Sequence, residues 1–136
     1  MCIFCKIVAG ELPSTKVYED EKTLAFMDIN PVNPGHTLLI PKKHVETIYE
    51  LDEETGKAVM STLIKLVRAV KKATNCQGVT IHQANEKAAN QVVPHLHIHI
   101  IPRWEKDYAL GGWKAKPGDP EEIKKQADKI RNCLGS

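Results

Sequence analysis

A chain of 136 residues with 42% hydrophobic and 26% charged residues has the size of one domain, residues 1–136, and enough apolar content for a core. No apolar run approaches the ~20 residues of a membrane-spanning helix, and 19 basic against 17 acidic residues, interspersed for a net charge of +2, leave no basic stripe for polymeric DNA or RNA. The N-terminus lacks the basic, apolar and small-residue order of a secretion signal, so the expected compartment is the cytoplasm and the expected state of the cysteines is reduced.

The chain opens with Cys2-x-x-Cys5, a spacing that suits either a metal or a redox pair. A redox motif of the thioredoxin kind would follow a strand and open a helix, and the extreme N-terminal position therefore favours a metal. Residues 11–15 read as a turn. Lys16 to Glu19 and Thr23 to Asp28 read as two strands joined through the acidic turn Asp20-Glu21-Lys22, a hairpin. Asn30-Pro31-Val32-Asn33-Pro34-Gly35 is rich in turn formers, and His36 to Pro41 supplies a third strand. Lys42 and Lys43, just past it, are expected to be solvated.

From Asp52 to about Thr74, Val59, Leu63, Leu66, Val67, Val70 and Ala73 recur at helical spacing, with acidic residues at the start and lysines at the end to match the helix dipole. This long amphipathic helix is expected to lie across a sheet, and Asn75 to Gly78 stops it. Val79 to Ala84 alternates as a fourth strand with Val79 and Ile81 on one face and His82 opposite, a lone surface or pairing histidine. A ten-residue loop from Asn85 to Pro94 leads into His95-Leu96-His97-Ile98-His99-Ile100-Ile101.

Read as a strand, that last run places His95, His97, His99 and Ile101 on one face and Leu96, Ile98 and Ile100 on the other: one face chemistry, one face core. Neighbouring histidines are then about 6.7 Å apart and the outer two about 13 Å, from a rise of ~3.3 Å per residue. Two could chelate one metal, but three would strain. Pro102-Arg103-Trp104 ends the strand and Gly111-Gly112-Trp113 marks an irregular stretch. Asp119-Pro120-Glu121-Glu122 combines a capping carboxylate, proline at the first helical position and glutamate three on, so a C-terminal helix should run to roughly Cys133. Cys76 and Cys133 have no metal-like spacing and read as small hydrophobes. Two helices and about five strands in this order predict an α+β fold with a mostly antiparallel sheet.

The triad resembles the signature of the histidine triad nucleotide-binding family. Asp28-Ile29-Asn30-Pro31, Gly35-His36-Thr37, Pro41-Lys42-Lys43-His44 and Asn85-Glu86 with Gln91 resemble its other segments, so the likeness covers nearly the whole chain. The opening Ile3-Phe4-Cys5-Lys6-Ile7 with Leu12-Pro13 is similar to the Hint-like branch. The resemblance implies that His97 attacks the α-phosphorus of a purine nucleotide to give a nucleotidyl-histidine, and that His99 donates to a phosphate oxygen. Gln91 and the backbone of its loop would cradle that phosphate, Asp28 would accept from the ribose hydroxyls, and Asn85 would hold ribose or phosphate. Phe4, Ile7, Leu12, Phe26 and Ile29 would line the base slot. It further implies a structural zinc on Cys2, Cys5, His44 and His95, and a homodimer that joins two sheets with the long helix in the interface.

Two positions depart from the family pattern. Asn90 stands where glycine is usual, and Val92 where many members carry a serine or threonine hydroxyl near the phosphate or leaving group, which points to slower turnover or a shifted leaving-group preference. The activity implied is hydrolysis of nucleoside 5'-phosphoramidates. The alternatives are dinucleoside polyphosphate hydrolysis, a mononucleotide-binding regulator with vestigial catalysis, and a metal-dependent hydrolase with His95 and His97 as a chelate.

Overall fold

The computed structural model describes residues 1–111 and 115–135. The chain runs α1 (Ile3–Val8), β1 (Lys16–Glu19), β2 (Thr23–Met27), β3 (Thr37–Pro41), α2 (Glu53–Thr74), β4 (Gly78–His82), β5 (Ile98–Arg103) and α3 (Pro120–Cys133). The strands form one antiparallel sheet in the order β1-β2-β3-β5-β4, which is the α+β fold with a five-stranded sheet. Among the described residues no helix is long and apolar enough to cross a membrane. The irregular stretch expected at Gly111-Gly112-Trp113 lies, beyond Gly111, outside the described residues.

Alternation decides what each face carries. Ala25, Leu39 and Ile100 pack against Val59, Leu63 and Leu66 of α2, whereas Leu24, Phe26, Leu38 and Ile40 pack on the other side against Phe4 and Ile7 of α1. Every residue of β3 and all but the last of β2 are therefore buried, because both faces of these strands are covered. α2 starts where its signals place it: the Asp52 carboxylate caps the Thr55 N–H, and Asn75 ends the helix in the left-handed conformation. The Asp119 cap and Pro120 likewise open α3, which runs to Cys133 and buries none of its residues.

Beyond one-residue shifts at the end of β2 and the start of β3, the structure departs from the sequence reading in five places. The segment after Cys2 is a helix, α1, too short at six residues to show a period, and Cys2 is its N-cap. β5 begins at Ile98, not His95, because the Val93 carbonyl bonds the His95 N–H at 2.9 Å and bends the chain after Pro94. β4 ends at His82, and Ile81 on this edge strand is half exposed. Cys76 is buried as a small hydrophobe, but Cys133 is exposed on α3. Lys42 and Lys43 are not simply solvated: they pair with Glu19 at 2.8 Å and Asp52 at 3.3 Å.

Gly35 turns the chain into β3 with φ +96°, and a Cβ there would lie 2.7 Å from Thr74 Cγ2 and 3.0 Å from Pro102 Cγ. Gly35→Ala is therefore expected to cost about 2 kcal/mol or more from backbone strain and overpacking together. Urea denaturation of the variant showing the midpoint of the parent would refute this.

Candidate functional site

Two groups of histidines meet at the N-terminal end of β5. In the first, Cys2, Cys5, His44 and His95 bring one potential ligand atom each to within 4.8 Å of the others. Three separate pieces of chain converge here: the first turn of α1, the segment after β3, and the bend before β5. His95 is fully buried, and its Nε2 lies 2.8 Å from the Pro41 carbonyl. A carbonyl only accepts, so Nε2 carries the hydrogen and Nδ1 is left with its lone pair. That Nδ1 faces Cys2 Sγ at 3.4 Å and Cys5 Sγ at 3.6 Å, while His44 Nδ1 lies 3.2 Å from Cys5 Sγ and 3.7 Å from Cys2 Sγ. Two thiols, the His95 lone pair and His44 Nδ1, all aimed at one point, are positioned as a possible metal site.

The second group is His97, His99, His36 and Asp28. His97 Nδ1 is 2.7 Å from the His95 carbonyl, so it donates there and Nε2 is the free nitrogen. His36 Nδ1 accepts the Val32 N–H at 3.0 Å, so its hydrogen sits on Nε2, which approaches His99 Nδ1 at 2.9 Å and Asp28 Oδ2 at 3.5 Å. His99 therefore accepts at Nδ1 and carries its own hydrogen on Nε2. The rings of His97 and His99 are 5.0 Å apart, and the edge of Phe4 packs on both His95 and His97. One imidazole lone pair thus stands beside one imidazole N–H, each fixed by a partner on its other nitrogen.

Burial keeps these rings neutral. It lowers the pKa of His97 and of His36, against the pull of Asp28 on both, and it pushes His99 down to about 4 with help from the neighbouring imidazoles. The unfolded chain titrates its histidines near 6.5. Between these values it binds more protons than the folded chain, so this contribution to stability is complete above about pH 6.5 and is lost as pH falls toward 4. The melting temperature is expected to drop between pH 7 and pH 5, and to drop less in His99→Phe; equal pH dependence in the two proteins would contradict the assignment.

The loop from Asn85 to Pro94 is held by its amides. Asn85 Oδ1 accepts the Ile48 N–H at 2.8 Å, and Asn85 exchanges two bonds with Gln83. Gln91 accepts the Glu86 N–H and donates to the Glu46 and Val93 carbonyls. Between them a short 3₁₀ turn, Lys87–Ala89, ends at Asn90 with φ 70° and ψ 29°. This left-handed conformation is free to glycine and tolerated by asparagine, which explains how Asn90 serves where glycine is usual.

These two groups and this loop occur in a chain whose residues 9–106 match the HIT domain model. The chain belongs to the HIT domain family. An adenosine 5'-monophosphoramidase, hnt1, of Schizosaccharomyces pombe is 42% identical over 98% of both chains. The crystal structure of a HIT family member from Bacillus subtilis superposes with a TM-score of 0.93 at 41% identity, over 99% of this chain and 98% of that one. A zinc-bound histidine triad family protein from Mycobacterium smegmatis superposes with a TM-score of 0.74 at 32% identity, over 95% and 96%.

In this HIT protein the residues expected at the base slot divide. Phe4, Ile7 and Phe26 are packed together in the core, whereas Leu12 is 38% and Ile29 90% exposed. Val92 is 89% exposed at the loop tip. A metal shared by His95 and His97 is not favoured, because His95 turns its lone pair to the thiols and His97 ties Nδ1 to a carbonyl. His82 sits across from His99, the rings 5.5 Å apart, as a pairing histidine. The residue that sequence reasoning missed is His36. The signal was present in a histidine entering the strand beside the triad, but nothing local showed that β3 and β5 are neighbours.

Proposed function

We propose that this HIT protein, acting as one domain, hydrolyses nucleoside 5'-phosphoramidates, an adenosine or guanosine monophosphate joined to an amine, through a nucleotidyl-histidine. The observation that carries this is the tautomer set: His97 offers Nε2 as a lone pair while His99 offers Nε2–H beside it. His97 Nε2 attacks the α-phosphorus, the P–N bond breaks and the amine leaves with a proton drawn from solvent, which the attacking water of the second step gives back. Water then attacks the phosphorus, returns the ring to its neutral form and releases the mononucleotide. His99 donates to a non-bridging oxygen, where negative charge gathers. Asp28, on the same side as His36, accepts from the ribose. The loop that Asn85 and Gln91 hold lies over the phosphate with Val92 at its outer edge, and the apolar wall of Phe4, Ile7, Leu12, Phe26 and Ile29 takes the base. The sequence similarity to an adenosine 5'-monophosphoramidase supports the same reading. Release of AMP from an adenylated amine tests it, and no turnover on any adenylated or guanylated amine would overturn it.

The metal we assign to Cys2, Cys5, His44 and His95 is a structural zinc. Bonds of ~2.3 Å to sulfur and ~2.1 Å to nitrogen at a tetrahedral angle separate the two ligand atoms by about 3.6 Å. The four sulfur–nitrogen distances, 3.2 to 3.7 Å, bracket that value. Four protein ligands close the shell, so the ion supplies rigidity.

The working unit we propose is a cytoplasmic homodimer. Met60 and Ile64 leave apolar surface exposed on α2, and Ile81 does so on β4, one of the two edge strands of the sheet. Two copies meeting there would cover these side chains and pair two unsatisfied strand edges. Light scattering is expected to give twice the chain mass at micromolar concentration; the mass of one chain would overturn the dimer.

A further inference from the structure

The Cys2–Cys5 pair has a second chemistry open to it. Both thiols are half-buried and border a cleft of about 520 Å³ lined by Met1, Cys2, Cys5, His44, Glu46 and Pro94, so small molecules can reach them. Cys2 sits at the cap of α1 with its Sγ folded back onto the turn, where it accepts the Cys5 N–H at 3.3 Å. Residues three apart on such a turn have Cα atoms roughly 5–6 Å apart, inside the span of a disulfide. Of the remaining cysteines, Cys76 is buried, and Cys133, exposed on α3, is not part of a closely spaced cysteine pair, so it is expected to stop at a mixed disulfide.

We propose that Cys2 and Cys5 form a reversible dithiol site that reacts with low-molecular-mass disulfides of the glutathione type, and that this reaction dismantles the metal site. One thiolate displaces one half of the small disulfide and forms a mixed disulfide. The second protein sulfur then displaces the other half, leaving a Cys2–Cys5 bond and two small thiols, so that two electrons pass from protein to reagent. Oxidation removes both sulfur donors at once. His44 and His95 alone hold a zinc ion weakly, and the ion leaves; this part rests on the zinc assignment above.

The consequence reaches the nucleophile through one residue. The His95 ring is held at both nitrogens, by the Pro41 carbonyl and by the ligand cluster, and its own carbonyl fixes His97 Nδ1–H at 2.7 Å. Freeing Nδ1 of His95 loosens the residue whose carbonyl sets the tautomer and aim of His97.

The test treats zinc-loaded protein with oxidised glutathione and follows zinc release with a chromogenic chelator, disulfide connectivity by peptide mapping, and turnover of an adenylated amine. We expect one zinc released per chain, a Cys2–Cys5 link, at least tenfold slower turnover, and recovery of all three on adding a thiol reductant and zinc. Cys133→Ser should behave identically. Zinc retained while Cys133 is modified, or Cys2 and Cys5 left as separate mixed disulfides, would overturn the dithiol site. An oxidised protein that turns over at the parent rate would overturn the coupling. Should the reduced, zinc-loaded protein lack turnover, the phosphoramidase reading fails separately. The coupling is then read from the ring ¹⁵N shifts of His97, which should change on oxidation, and unchanged shifts would overturn it.

Discussion

Replacing His97 with alanine is expected to abolish turnover of an adenylated amine while leaving nucleotide affinity within a few fold of the parent. Losing a nucleophile commonly costs roughly four to six powers of ten. The ribose contact proposed for Asp28 does not pass through the His97 ring, and of the proposed apolar wall Phe4 packs on that ring, so binding is expected to weaken little. The neighbouring histidines should differ in degree and kind. His99→Ala removes a donor to the charged transition state, worth roughly two to three powers of ten, and His95→Ala should lower metal content and stability. A quenched reaction searched by peptide mass spectrometry should show a nucleotidyl adduct on His97 and on no other residue. An adduct on His99, or appreciable turnover in His97→Ala, would show that the lone pair at His97 Nε2 is not the attacking one.

Removing the metal with a chelator, or preventing its binding with Cys5→Ser, should lower the melting temperature by about 10 °C, from a loss of roughly 3 kcal/mol. The full worth of a zinc site in a small finger is larger, because there the metal supplies the fold. Here the sheet and α2 form a core that does not depend on it. What a metal there would secure is α1, and α1 brings Phe4 against Phe26, His95 and His97. Calorimetry with and without chelator measures this, alongside elemental analysis. Zinc well below one per chain in protein prepared without chelators, with Cys5→Ser as stable as the parent, would remove the metal from this account.

Much of this architecture was legible from periodicity and punctuation. β1 and α3 fall where their signals place them, and α2 spans the residues between its capping aspartate and its left-handed asparagine because a 22-residue amphipathic helix carries many repeats of its own pattern. The six residues of α1 carry fewer than two turns, so Phe4 and Ile7 read as isolated apolar residues and not as one buried face. The alternation from His95 to Ile101 is real, and Ile98 and Ile100 do pack toward α2 while His99 faces His36. Alternation alone could not show that the chain bends at His95 to feed a ligand cluster. The tautomers were beyond reach of sequence: those of His95 and His99 are set by groups distant in the chain, the Pro41 carbonyl and the His36 ring, and that of His97, though its partner is the nearby His95 carbonyl, depends on the bend before β5 that turns this carbonyl toward the ring. The amides of Asn85 and Gln91 belong partly to the same class: beside local partners in their own loop, they bond the Ile48 N–H and the Glu46 carbonyl, far away in the chain.

The position of the strand boundary bears on how the site moves. His99 lies inside β5, flanked by β3 on one side and β4 on the other, so its amide should exchange with solvent only in the rare openings that expose the sheet as a whole. His97 lies one residue before that strand, in a lead-in tethered by the Leu96 N–H to the Val45 carbonyl at 2.7 Å. The His97 ring thus sits where slow, cooperative motion gives way to faster local motion. On the proposed mechanism, the donor His99 keeps its place on the timescale of global unfolding, while His97 has room for the small displacement toward phosphorus and back that a covalent cycle would demand.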